Sequence, residues 1–411
     1  MTPLTQVKPY PFATCPRTGL DLDPEYATLR DAEPVVRVRL PYGEPAWLVT
    51  RYADARVVLS DPRFSRAASR DRDEPRLQAQ SFAAGILGTD PPQHTHLRAA
   101  IASAFTRRRV QQLRARTHEI VTELLDRVVL RAEPFDLVST VAVPLPVTVI
   151  CELLGVPVAD RQQVQRWSDA ALSTSGLSPE QVRENLGQLY RYLARQLAQR
   201  RRSPADDLLS ALVQVRGEMS DGPQMLHLAV ALLIAGHETT VRQIPNMVFA
   251  LLTHPDQLAA LRADASLIPA AVEELMRWIP LSTSACFARY PVVDLELGGV
   301  LIRAGEPVLV AMASANRDER AFDEGDRLRL DRIGAPHLGF GHGPHYCPGA
   351  ALARMELQIL LAELLRRFPG LRLARPAAEI DWTTDSLART PRSLTLTWDV
   401  IAVPGGARTL P

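Results

Sequence analysis

The chain has 411 residues, with 47 basic and 46 acidic side chains and a net charge of +1. So even a balance excludes nucleic-acid binding driven by phosphate contacts, which needs a strongly basic face. With 46% hydrophobic and 23% charged residues the chain has ample apolar mass for a large core, and disordered, collagenous and disulfide-stapled classes are excluded.

In chain order, Met1 to Arg30 holds no apolar run long enough for a signal peptide or anchor. Val35, Val36, Val38 and Leu40 alternate toward a Pro-Tyr-Gly-Glu-Pro turn, and Ala46 to Thr50 completes a predicted β-hairpin. Helical periodicity dominates from Leu97 to Leu281, broken at Pro/Gly/Ser clusters near Pro134, Gly176 and Pro204. The longest apolar stretch, Leu228 to Ala235, is far short of the ~20 residues a membrane span needs. Strand signals return at Leu295 to Ile302, with Gly298-Gly299 as the turn, and at Pro307 to Met312. A last helix is predicted from Ala350 to Arg366, and the segment Ser393 to Trp398 alternates again. Strands at both ends of a helical middle predict one domain over 1–411, mainly α with small β-sheets built from distant segments. The alternative is two domains divided near Gly217. Cys15, Cys151, Cys286 and Cys347 are widely spaced, which fits a reducing cytoplasm better than a disulfide framework.

The most specific segment is Phe340-Gly-His-Gly-Pro-His-Tyr-Cys347-Pro-Gly349, followed at once by a helix pattern. Cys347 thus precedes a helix N-terminus, where orphan N–H groups and the positive end of the macrodipole favour an anion. A thiolate is stabilised there, and thiolate is the form of cysteine that ligates metal. Gly341, Gly343 and Gly349 permit tight turns and the close approach of something flat and bulky. Two other readings stand beside this one: Cys347 as a small buried side chain, and a zinc site of His337, His342, His345 and Cys347.

Upstream, Asp221 reads as an N-cap and a helix is predicted from there to about Leu252. Roughly 30 residues at about 1.5 Å each would span ~45 Å, enough to cross a domain. The apolar run of this helix meets Ala235-Gly-His-Glu-Thr-Thr240. Burying an unpaired polar group costs roughly 2 kcal/mol or more, so Glu238 and Thr239 need a reason to be there. The expectation is that the Thr239 hydroxyl replaces a helix bond near Ala235, opens the helix beside Gly236, and receives protons relayed by Glu238. Pro245 removes a helix N–H and predicts a kink. Further on, Glu274-Leu-Met-Arg277 sets a carboxylate and a guanidinium on one helix face.

Phe-Gly-x-Gly-x-His-x-Cys-x-Gly resembles the haem-ligand loop of the cytochrome P450 superfamily, and the resemblance, closest to the soluble bacterial branch, extends over nearly the whole chain. It implies the family's mainly helical fold and a haem b (iron protoporphyrin IX) whose iron is held by Cys347. Thiolate ligation pushes electron density onto iron and favours O–O cleavage. Pro348 stands where the family more often has an aliphatic residue, and proline at a first helical position is well tolerated. Ala235 to Thr240 looks like the family's oxygen-activating helix, which implies catalytic roles for Glu238 and Thr239 and places Ala235 and Gly236 against the cofactor. Glu274 and Arg277 resemble the structural Glu-x-x-Arg pair, with Arg327 as the implied third member. His94 and Arg98, in Asp90-Pro-Pro-Gln-His94-Thr-His-Leu-Arg98, look like propionate contacts, joined by Arg289 and His345; Phe340 and Gly349 frame the haem loop.

The implied activity is monooxygenation, the hydroxylation or epoxidation of a small organic molecule as a tailoring step in secondary metabolism. The alternatives are oxidative C–N, C–C or C–O bond formation within one substrate on the same haem, and a non-catalytic haem or metal sensor. Electrons are expected from NAD(P)H through a separate ferredoxin and its reductase, since no Gly-x-Gly-x-x-Gly follows a strand. Arg107, Arg108 and Arg109 are candidates for a basic docking face. The resemblance places the substrate pocket at Gln78 to Leu87 (Ile86 and Leu87 in particular), Leu232, Ala235, Leu281 to Ala285 (Ser282, Thr283, Ser284 and Ala285) and Ser386-Leu387.

Overall fold

The computed structural model describes residues 7–14, 18–78, 85–104, 107–173, 176–214, 223–282 and 285–399, without the side chains of 103, 104, 107–110 and 172. The first part of the chain forms β1 (Lys8–Pro9), α1 (Glu25–Ala32), β2 (Val35–Arg39), β3 (Ala46–Val49), α2 (Tyr52–Ser60) and β4 (Phe64–Ser65). Helices follow: α3 (Gln93–Ala104), α4 (Arg107–Arg131), then, after β5 (Phe135–Asp136), α5 (Pro144–Leu154), α6 (Arg161–Asp169), α7 (Pro179–Arg202) and α8 (Leu208–Val213). The long α9 (Pro223–Leu252) leads to α10 (Pro255–Ala263) and α11 (Ile268–Trp278). The last quarter holds β6 (Tyr290–Pro291), β7 (Leu295–Leu297), β8 (Val300–Ile302), β9 (Val308–Val310), α12 (Met312–Ala315), α13 (Ala350–Arg367), β10 (Arg372–Leu373) and β11 (Thr395–Thr397).

Distant segments do assemble the small sheets. The order β1-β2-β3-β9 joins the first fifty residues to the segment beyond Pro307, and β10-β11-β5 joins the chain's end to its middle. The hairpin pairs Val36 with Leu48, and β3 runs parallel to β9 with Leu48 opposite Leu309. Alternate residues of these strands enter two different cores: Val35, Trp47, Val49, Val308 and Val310 on one side, Val36, Val38, Leu48 and Leu309 on the other. Burial on both faces explains why Ala46 to Val49 and Val308 to Val310 are unbroken apolar runs.

The largest core surrounds α9, which is buried on nearly every side from Leu228 to Ile234 and from Gln243 to Leu251. Such a helix crosses the interior rather than lying on it. It packs on α5, α6, α7, α8 and α10. A capping box between Ser178 and Gln181 starts α7 and sets it against α9. None of the described helices is long and apolar enough to cross a membrane.

Two sequence expectations are modified here, and one falls outside the described residues. Asp221 and Gly217 lie outside the described residues, and α9 begins at Pro223. The same helix runs on through Pro245 and is continuous at Gly236, so the structure has no opened turn there. Pro348 precedes the cap residue Gly349 of α13 instead of occupying its first turn.

Candidate functional site

Cys347 sits on a loop whose backbone is closed by its own bonds. Its N–H donates to the Phe340 carbonyl at 2.8 Å, and Tyr346 N–H donates to Gly343 at 3.0 Å. Gly343 is required twice over: its φ is +69°, and a Cβ there would stand 2.4 Å from the Leu59 carbonyl oxygen of α2. One side chain ties the loop to the helices. Arg354 of α13 lies 4.4 Å over the Phe340 ring, donates to the Tyr346 hydroxyl at 3.0 Å, and grips Glu273 of α11 at 2.6 and 2.8 Å. Burial pushes the Cys347 thiol up, opposed by the Gly349 N–H and by the charges of Arg98 and Arg354. A thiolate at this place therefore calls for a metal's positive charge as well as the helix end.

A cavity of about 420 Å³ opens above Cys347, with Phe340 and Gly349 in its floor and Leu232, Ala235, Gly236 and Thr239 of α9 opposite. A Cβ on Gly236 would meet Ile150 Cδ1 at 2.4 Å, so this glycine lets α9 pack close to α5 beside the cavity. The Thr239 hydroxyl donates to the Ala235 carbonyl at 3.0 Å. Glu238 turns the other way: it is 2% exposed, does not line the cavity, and accepts from Arg242 Nη2 at 3.1 Å. His237 Nε2 stands 3.3 Å from its second oxygen.

The edge of the cavity is cationic. Arg289 lines it, is 8% exposed, and has no hydrogen-bonded or ion-paired side-chain partner among the described residues. Burial and the nearby Arg66 bring its guanidinium down to about 10. His345 also lines the cavity, its ring 4.2 Å from that of buried His94. Burial, then Arg289 and His94, depresses His345 to about 3; burial and Arg98 lower His94. Arg98 lies one turn beyond His94 on α3, half-buried. A buried guanidinium beside these imidazoles has the Asp90 carboxylate only at longer range and no anion in contact among the described residues, and burying a charge unpaired is costly. Haem, with two propionates at one edge and a flat apolar body, fits this donor set and the glycine-floored cavity.

The zinc alternative does not fit. His337 faces Glu273 at 3.1 Å, His342 faces Arg56 and His345 stacks with His94, so these side chains do not converge with Cys347.

Beneath the loop, Glu274 and Arg277 are 4% and 3% exposed and paired at 2.7 and 2.8 Å. Arg277 also donates to the carbonyls of Asn316, Gly325 and Arg327, which accounts for all five of its N–H groups. The third guanidinium is not that of Arg327. Arg332 Nε reaches both Glu274 oxygens at 3.1 Å, while the Arg327 side chain is 69% exposed and pairs with Glu324. Arg327 contributes its carbonyl instead, because the loop turns its side chain to solvent.

The expected pocket residues divide. Leu87, Leu232, Ala235 and Leu281 line the cavity; Ile86 packs against the core beside it. Ser282 forms a bridge with Ala388, Ala285 is buried with its N–H on the Tyr10 hydroxyl, and Leu387 is half-buried, none of them lining the cavity. Thr283, Ser284 and most of Gln78 to Leu87 lie outside the described residues, as do the side chains of Arg107, Arg108 and Arg109. Sequence reasoning missed Arg66, Gln243, Phe287 and Glu356, which line the cavity. Gln243 follows Thr239 by one helical turn, a signal that periodicity offered; Phe287 enters from a left-handed backbone (φ 61°), which no pattern announces.

A family model described as Cytochrome P450 matches residues 180–392. Mycinamicin IV hydroxylase/epoxidase of Micromonospora griseorubida is 48% identical over 96% of this chain and 100% of its own. Nocardicin C N-oxygenase of Nocardia uniformis subsp. tsuyamanensis is 48% identical over 96% and 99%. The crystal structure of a cytochrome P450 with biaryl coupling reactivity matches with a TM-score of 0.91 at 40% identity, covering 96% of this chain and 100% of that one.

Proposed function

The chain belongs to the cytochrome P450 family, and from that premise we propose that this monooxygenase tailors a secondary metabolite, hydroxylating or epoxidising a small, largely apolar substrate held over Cys347. Its cofactor is haem b, and its electrons come from NAD(P)H through redox partners. Haem held by a Cys thiolate supplies the reductive activation of dioxygen. The observation that carries the site assignment is the buried Arg289, without a side-chain partner among the described residues, at the edge of a cavity floored by Cys347 and faced by Thr239.

In this reading Cys347 ligates the iron, Arg354 fixes the loop that presents it, and Arg289, His345, His94 and Arg98 hold the propionates. Glu274, Arg277 and Arg332 keep the scaffold below the loop rigid. Leu87, Leu232 and Ala235 exclude water and orient an apolar substrate, while Thr239 and Gln243 offer the few hydrogen bonds that select its pose. Thr239 releases its hydroxyl from the Ala235 carbonyl to hold a proton on the cavity side. Glu238, turned toward Arg242 and His237, resupplies that proton by rotating about its own side chain.

A ferredoxin and its reductase are the partners we propose, docking on a basic face near the Cys347 loop. We also propose a cytoplasmic enzyme, on the strength of its free Cys151, Cys286 and Cys347, and a single domain over 1–411. Oxidative coupling is a second reading, favoured by the similarity to a P450 with biaryl coupling reactivity.

The test is the reduced, carbon-monoxide-bound spectrum of the purified protein, followed by turnover of a natural-product library with a surrogate ferredoxin system. A thiolate-type Soret band and a product that has gained one oxygen atom are expected. A product that has lost two hydrogens selects the coupling reading. A histidine-type band overturns Cys347 as ligand, and bound haem with no turnover of any substrate returns the sensor reading.

A further inference from the structure

Behind the cavity, on the far side of α9, four ionisable side chains meet. Asp169 at the end of α6, His237 and Glu238 each place a ligand-type atom within 4.8 Å of the others, and Arg242 donates to Glu238 at 3.1 Å. The hydrogen bonds constrain the state of the histidine. His237 Nδ1 lies 2.8 Å from the Leu233 carbonyl, which only accepts, so Nδ1 carries a hydrogen. Ser168 Oγ has one proton, lies 2.9 Å from the Gln165 carbonyl and 3.0 Å from His237 Nε2, and accepts from Nε2 when that proton is given to Gln165. A Glu238 oxygen 3.3 Å from Nε2 favours a hydrogen on that nitrogen as well, the arrangement in which His237 is an imidazolium.

Both cations, His237 and Arg242, stand directly on Glu238. That leaves Asp169 as the member of the carboxyl pair that takes a proton. The directions agree: burial and then Glu238 raise the Asp169 carboxyl, whereas Glu238 is lowered against its own burial by His237, Asp169 and Arg242. His237 is raised, against burial, by Glu238. Asp169 as a residue reaches solvent although its carboxyl lies in against His237 and Glu238, while Glu238 is sealed. The same residues do not suit a divalent cation, because Arg242 donates into the site and both His237 nitrogens are engaged, Nδ1 with the Leu233 carbonyl and Nε2 with Ser168 and Glu238.

We propose that Asp169 and His237 are positioning residues for Glu238: His237 holds it ionised and turned from the cavity, and Asp169 is the acid through which it is reloaded from solvent. The step is a proton transfer. The Asp169 carboxylic acid gives its proton to the Glu238 carboxylate, is left as a carboxylate, and takes a proton from water; Glu238, now neutral, loses its hold on His237 and Arg242 and is free to turn toward Thr239. This rests on the reading of Glu238 and Thr239 as the proton path.

The experiment combines infrared spectroscopy of the purified holoprotein with turnover. A protonated-carboxyl stretch assigned to Asp169 is expected at neutral pH, lost in Asp169→Asn and kept in Asp169→Glu. Glu356, buried and pushed up to about 8, contributes a second such band, which Glu356→Gln removes. In turnover, Asp169→Asn lowers product formation at least about tenfold, shifts the pH profile and enlarges the solvent deuterium isotope effect, and Asp169→Glu restores all three. His237→Leu makes a protonated Glu238 band appear. If Asp169→Asn keeps the band, the isotope effect and the wild-type rate while Glu238→Gln uncouples the enzyme, this proposal falls and the proton-path reading stands. If Glu238→Gln is itself silent, the proton-path reading falls.

Discussion

Replacing Arg332 by alanine tests how the scaffold under the Cys347 loop is held. Arg332 is 8% exposed in its side chain, and its Nε bonds both oxygens of Glu274 at 3.1 Å. Its Nη2 donates to the Glu324 and Arg327 carbonyls at 3.2 and 3.0 Å. Removing it does not strand Glu274, which keeps Arg277 at 2.7 and 2.8 Å and the Arg329 N–H at 2.9 Å. The loss is thus the charge-assisted contact with buried Glu274, about 1.5–3 kcal/mol, since the bonds to the Asp323, Glu324 and Arg327 carbonyls are exposed and water replaces them. Arg327→Ala removes a side chain that is 69% exposed and paired with Glu324, itself 42% exposed, a solvent-screened pair of little worth, and leaves its backbone carbonyl in place. For a chain of this length the unfolding entropy is roughly 0.9 kcal/mol per degree, so the two variants separate as a Tm drop of about 2–3 °C against one of about 1 °C or less. Thermal unfolding followed by circular dichroism, with the haem-to-protein ratio measured alongside, reads the difference. Equal losses in the two variants, or a larger one in Arg327→Ala, would refute the assignment of Arg332 as the third cation.

Cys347→Ala should abolish the thiolate-type Soret band of the reduced carbon-monoxide complex; an intact band in that variant would remove Cys347 as ligand. Thr239→Ala is expected to cut product per electron consumed on the order of tenfold or more and to release hydrogen peroxide, checked by a peroxide assay against product yield. Gly343→Ala must fit a Cβ at 2.4 Å from the Leu59 carbonyl at a φ of +69°, so a cost of about 1–3 kcal/mol and weaker haem retention are expected in denaturant titrations. The pH dependence should follow Glu273. Burial opposes its ionisation, but Arg354 and His337 hold the carboxyl at about 2, below its ordinary 4.5. Its contribution is therefore complete above about pH 4.5 and is lost as pH falls toward about 2. Haem release in that acid window should be blunted in Glu273→Gln, whose retention is already lower at neutral pH.

Much of this protein is local in origin and therefore legible in the chain. The hairpin at Val35 to Val49, the course of α13 from Ala350, and the setting of Cys347 before a helix end follow from alternation, helical period and glycine placement within short windows. The Glu238-Thr239 pair announces itself because a polar pair inside an apolar helix is costly without a role. What spacing does not carry is the direction in which a side chain leaves the backbone once distant segments pack. Arg327 and Arg332 lie in one arginine-rich loop, and only the fold of that loop around Arg277 turns one outward and the other onto Glu274. Glu238 adjoins Thr239 in sequence, yet on a helix consecutive residues point about 100° apart, so Glu238 faces Asp169 of α6 while Thr239 faces the cavity. The partners of Glu238 and the cavity walls at Arg66 and Phe287 come from segments remote in the chain. Their meeting is decided by close packing across α9, a property of the assembled interior that no local pattern encodes.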